Sequence, residues 1–143
     1  MKKLLRYSLS VIFAFVASIT FAAEPYKVLT FPDEGTAGKE ISAYTKTWVA
    51  TIGTDSWTIE NFNTNKWNNW KYIKCGRKGN ASVAAITSPA IDKPISNVLI
   101  TIDKLTKDKV NSITLKVATD AEFKNVTEEI SAPKLTDGDM IFK

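Results

Sequence analysis

Residues 69–80, NWKYIKCGRKGN, crowd two large aromatics, four cations, one cysteine and two glycines into twelve positions. Trp67 stands just upstream in NTNKWNN, so Trp67, Trp70, Tyr72 and Lys74 fall within eight residues. Flat aromatic rings beside amides and amines are what sugar rings stack on: the ring supplies apolar contact, and the polar groups bond the hydroxyls. In a strand, side chains alternate faces, which sets Trp70, Tyr72 and Lys74 against Lys71, Ile73 and Cys75. If Ile73 and Cys75 point inward, the two aromatics stand outward beside Lys74 as a glycan platform. The competing reading puts Trp70 and Tyr72 in the core, where large aromatics usually lie. Cys75 is expected to be a buried, reduced thiol. Arg77 and Lys78, in a glycine-flanked turn, read as solvated charge.

Other chemistry is sparse. The chain has no histidine, which removes Ser-His-Asp and Cys-His catalysis and histidine-based zinc sites. One cysteine cannot build a thiolate metal site or an internal disulfide. GRKG is too short for a phosphate loop and opens no helix. Acid pairs stand at Asp33–Glu34, Glu128–Glu129 and Asp137–Asp139; each reads as loop or exposed strand, and a glycosidase would need two facing carboxylates. TDGDM (136–140) reads as a turn in preference to a calcium loop. The expectation is a non-enzyme without cofactor or metal. Asn80 and Asn125 each open an Asn-x-Ser/Thr triplet, and no function is assigned to either.

The elements that must position these residues are short β runs between turn residues, with no helix-period segment after the N-terminus. YKVLTF (26–31), TWVATI (47–52), SWTIENF (56–62), NWKYIKC (69–75), ASVAAIT (81–87), ISNVLITID (95–103), SITLKVAT (112–119) and VTEEI (126–130) read as strands. TWVATI and SWTIENF, joined by GTD, read as a hairpin; Trp48, Ala50 and Ile52 share a face, Trp57 and Ile59 share a face, and both sets read as core. Val98, Ile100 and Ile102 share a face. PDEGTAGKEIS (32–42) reads as a connector.

The N-terminus has the layout of a secretory signal peptide: basic MKKLLR, apolar YSLSVIFAFVASITF, and small residues Thr20 and Ala22 before a cut after Ala22. The apolar run is shorter than a spanning helix needs, and no second span follows. The expectation is export to the periplasm, the cell surface or the medium, with no membrane span after cleavage. Losing Lys2, Lys3 and Arg6 takes the 19 cations to 16 against 15 anions, a net charge of +1. That is no footprint for nucleic acid, which needs a clustered basic face. Residues 23–143 suffice for one domain with its own core.

From Trp57 to Phe123 the order of features resembles secreted β-sandwich, jelly-roll domains of Bacteroidetes. The turn Lys74–Lys78 leads into a strand ending in Ser88–Asp92; an alternating Val/Ile strand and then VNSITLKVA follow. Galactose-binding and MAM-like jelly rolls share this layout. The resemblance implies an all-β antiparallel sandwich of jelly-roll type and an exported compartment, and it hands over no catalytic residue. Those jelly rolls continue past the equivalent of DGDMIFK, where Met140, Ile141 and Phe142 read as the opening of a strand. The domain is therefore expected to lack its C-terminal strands, leaving an unpaired edge and an uncovered apolar face. The function expected is a non-catalytic binding module for glycan through Trp67, Trp70, Tyr72 and Lys74. The alternative is a structural or adhesive protein-protein module with its aromatics in the core.

Overall fold

The computed structural model describes residues 24–31, 40–64, 73–76, 79, 82–106 and 108–143. Those residues form an all-β, sandwich-like arrangement with no helix, and all their strand pairings are antiparallel. The strands are β1 (Thr47–Ile52), β2 (Asp55–Glu60), β3 (Phe62–Asn63), β4 (Lys74–Cys75), β5 (Ala85–Thr87), β6 (Val98–Ile102), β7 (Thr114–Ala118), β8 (Val126–Ser131) and β9 (Gly138–Phe142). They pair as β1-β2-β5, β3-β4, β6-β9 and β7-β8. Residues 1–22, read from the sequence as a signal peptide, and the Asp33–Glu34 pair lie outside the described residues.

The β1–β2 hairpin closes on the pair Ile52↔Asp55, so its loop is two residues, Gly53 and Thr54, one fewer than the sequence implied. Gly53 adopts φ +59°, the left-handed value that a tight hairpin demands at its first central position. The register sets Trp48 opposite Ile59 and Ala50 opposite Trp57, and direct cross-strand partners share a face. The two apolar sets read from the sequence are therefore one face. Trp48, Ala50 and Ile59 are the buried centre of that face, and Leu29, Phe31, Ile41, Trp57, Phe62 and Ile73 pack against it. The Trp48 indole N–H donates to the Phe62 carbonyl at 3.0 Å, which satisfies a polar group inside the core.

YKVLTF is not a laddered strand, although residues 27–31 keep a strand's alternation. Leu29 and Phe31 turn toward the core, while Val28 and Thr30 are exposed. The segment thus covers the β1–β2 face, with the Phe31 ring edge-on to Trp48 at 6.4 Å between centroids.

SWTIENF also departs from a single strand. Asn61 adopts φ +60°, a conformation that asparagine tolerates better than most residues. Its N–H donates to the Lys46 carbonyl at 2.9 Å, and its side-chain amide donates to the Val83 carbonyl at 2.6 Å. This corner ends β2 and hands the chain to β3, which pairs with β4 instead. Beyond β3, buried Thr64 locks to Ile41 reciprocally. Its N–H donates to the Ile41 carbonyl at 3.0 Å, and its hydroxyl accepts from the Ile41 N–H at 3.2 Å.

GDMIF forms β9, which pairs residue for residue with β6, from Val98↔Phe142 to Ile102↔Gly138. Met140 and Phe142 are buried, and Leu99 and Ile141 are exposed on the other side. Gly138, at φ +86°, turns the chain into this strand.

Candidate functional site

Of the four residues expected to bind ligand, Lys74 alone lies among the described residues; Trp67, Trp70 and Tyr72 lie outside them, as do Arg77, Lys78 and Asn80. The Asn61 corner determines where Lys74 sits. By moving the chain out of the first sheet it creates β3, whose two residues hold β4 in register as Phe62↔Cys75 and Asn63↔Lys74. Lys74 is half-buried and shares its side of the ladder with Asn63, which is buried. The register thereby sets Lys74 directly opposite Asn63 across the ladder.

The neighbours of Lys74 divide differently from expectation. Ile73 does pack against the core. Cys75 does not: it is exposed. Strand β4 is only two residues long, and Gly76 at φ +69° turns the chain away at once, so the face that is covered at Ile73 is open at Cys75. The sulfur is still partly desolvated by its surroundings, and this pushes its thiol above the ordinary value of 9.0. Access is set by the open surface, and ionisation by the desolvation. A bulky thiol reagent is expected to label the folded protein. Because the reactive species is the thiolate, labelling should accelerate as pH rises and should lag that of the urea-unfolded chain at pH 8. Folded protein that resists the reagent at every pH would contradict the exposure of Cys75.

A second polar constellation escaped the sequence reading because its members are far apart in the chain. The Tyr26 hydroxyl donates to Asp92 Oδ1 at 2.5 Å, across 66 positions. Next to it, Lys27 Nζ lies 2.5 Å from Asp55 Oδ1. Lys93 Nζ stands 4.3 Å from the centroid of the Tyr26 ring, and Lys27 Nζ stands 5.3 Å from it, both within cation–π range. The Tyr26 hydroxyl holds the Asp92 carboxyl below its usual range, and Asp92 in turn raises the Tyr26 phenol. The exposed Tyr26 ring therefore carries ammonium groups, not a bare face for a sugar. The arrangement ties Lys27 to the start of β2 and Tyr26 to the segment between β5 and β6.

Several described acids are engaged in separate contacts. Glu128 and Glu129 are neighbours in β8 and so point to opposite sides; Glu129 pairs with Lys116 across the β7–β8 ladder at 3.2 Å. Asp137 accepts from the Leu105 N–H at 2.6 Å, and Asp139 accepts from the Thr101 hydroxyl at 2.6 Å, so TDGDM fastens two separate contacts. Asp120 gathers the backbone N–H groups of Glu122, Lys124 and Asn125 at 3.1, 3.0 and 2.7 Å. Those bonds, led by Lys124 and Asn125, hold its carboxyl below the usual range and shape the β7–β8 loop. Among the described residues no three acids or cysteines assemble into a metal-binding group, and no helix is long and apolar enough to cross a membrane. No protein-family model, curated protein or solved structure matches the chain.

Proposed function

We propose that this chain is an exported, non-catalytic β-sandwich module, of the jelly-roll type its sequence resembles in Bacteroidetes, that binds glycan in the periplasm or at the cell surface. The observation that carries this reading is the position of Lys74. It stands opposite Asn63 on the β3–β4 ladder, and in the sequence the run holding Trp67, Trp70 and Tyr72 precedes that strand directly. Rings that stack on a sugar need polar groups held at their margin, and a ladder position holds such groups with little loss of freedom on binding.

The test is a glycan array probed with the exported protein, and the same array probed with Trp70→Ala. Glycan retention is expected for the parent and is expected to be lost in the variant, with the melting temperature nearly unchanged. A stability loss of roughly 3–5 kcal/mol in Trp70→Ala would identify a core tryptophan instead, and the platform would be abandoned whatever happened to affinity.

A structural or adhesive protein-protein module is the second reading. One observation favours it: Leu99 and Ile141 are paired on the β6–β9 ladder and both are open to solvent. A chain that retains no glycan but self-associates through that face would replace the first reading with this one.

A further inference from the structure

Strand β6, VLITI, is apolar at four of its five positions. A strand that is apolar on both sides is the pattern of one covered on both sides. The inner side of the β6–β9 pair meets that pattern, since Met140 and Phe142 are 5% and 2% exposed. The outer side does not: Leu99 is 58% exposed and Ile141, its direct partner, is 53% exposed. Ile95, also exposed, stands just before the strand.

The charges around this apolar pair are arranged about it. Asp139 lies two positions before Ile141 in β9, and Lys143, the residue after the strand, lies two positions beyond Ile141. Each is therefore displaced by about 7 Å along the strand, in opposite directions. Asp139 is held in place by the Thr101 hydroxyl at 2.6 Å. A surface with an apolar centre, a negative flank and a positive flank is complementary to itself when turned through a half-rotation that reverses the strand direction. Lys143 of one copy then meets Asp139 of the other, twice, while Leu99 and Ile141 close on their equivalents. This is the geometry of an isologous contact.

We propose that the outer face of the β6–β9 sheet is the contact between two copies of this chain, packed face to face about a two-fold axis through the Leu99–Ile141 pair. The inference is independent of glycan binding. The apolar centre is small compared with a standard interface, so the dimer is weak and depends on concentration.

Sedimentation equilibrium of the exported protein over a wide concentration range tests this. The parent is expected to pass from monomer to dimer as concentration rises. Leu99→Lys, at an already exposed position, is expected to stay monomeric throughout with an unchanged melting temperature. Asp139→Lys and Lys143→Asp are each expected to weaken the dimer about tenfold, because two symmetric ion pairs become repulsive. The double variant Asp139→Lys/Lys143→Asp is expected to regain most of that loss, since the reversed charges again face each other. A parent that is monomeric at every concentration overturns the proposal and leaves the face to a different protein. So does a dimer that survives Leu99→Lys, which would instead indicate pairing at a strand edge, and so does a double variant no tighter than the single ones.

Discussion

Replacing Trp48 with alanine is expected to lower the unfolding free energy by about 3–5 kcal/mol, the range for removing a buried large aromatic. Trp48 is 7% exposed and lies in the buried centre with Ala50 and Ile59. Its loss would open a cavity between the β1–β2 hairpin and the segment that covers it, and would strip Phe31 of its edge-on partner. It would also leave the Phe62 carbonyl without the indole N–H that it accepts at 3.0 Å. Trp48→Phe separates these contributions: it keeps most of the apolar volume and removes the donor, so a large share of the loss should be recovered. Urea unfolding followed by circular dichroism gives both values. A cost below about 1 kcal/mol for Trp48→Ala, the scale of a surface change, would mean that this face is not the centre of the core.

Phe142→Ala is expected to cost a similar amount, about 3–5 kcal/mol, although the residue stands next to the last position of the chain. Chain ends usually fray, and substitutions there are usually silent. Phe142 is an exception because it is 2% exposed and sits in register with Val98 at the end of a fully paired ladder. Ile141→Ala is the control: the same strand, one position away, with a side chain 53% exposed. It should change monomer stability by no more than about 0.5 kcal/mol. Equal, small effects at both positions would show that β9 contributes little to the fold.

These two sites differ in how far they could be read in advance. The Trp48 face was legible because hairpin neighbours in the chain are neighbours in the sheet, so alternation in TWVATI and SWTIENF almost dictates the pairing. The strands β6 and β7 were legible through alternation alone: Val98, Ile100 and Ile102, and then Leu115 and Val117, announce their faces through a period of two. The burial of Phe142 could not be read in advance because its partner strand begins 40 positions before its own. No local pattern says which distant strand a short apolar run will pair with.

The candidate site divides in the same way. Composition alone showed that histidine chemistry and thiolate metal sites are absent, and that aromatics and amides gather before residue 75. Alternation put Ile73 and Cys75 on one side without saying which side is covered; Ile73 packs against the core, and the turn at Gly76 leaves Cys75, expected to be buried, open. Placing Lys74 beside Asn63 required the left-handed bend at Asn61, which breaks an otherwise continuous β run and moves β3 into a different ladder.

The amino-acid sequence by itself determined the all-β class, the rhythm of the strands and the side of most of them that seeks the core, because side-chain polarity and backbone alternation act over a few neighbouring residues. Tertiary structure alone decided which strands pair, where each face stops being covered, and that Tyr26 meets Asp92. Backbone hydrogen bonds are the same for every residue type and so carry no address. The address comes from the fit of distant apolar faces such as Leu29 and Phe31 over Trp48, and from polar groups such as the Asn61 amide that find partners only after those faces have met.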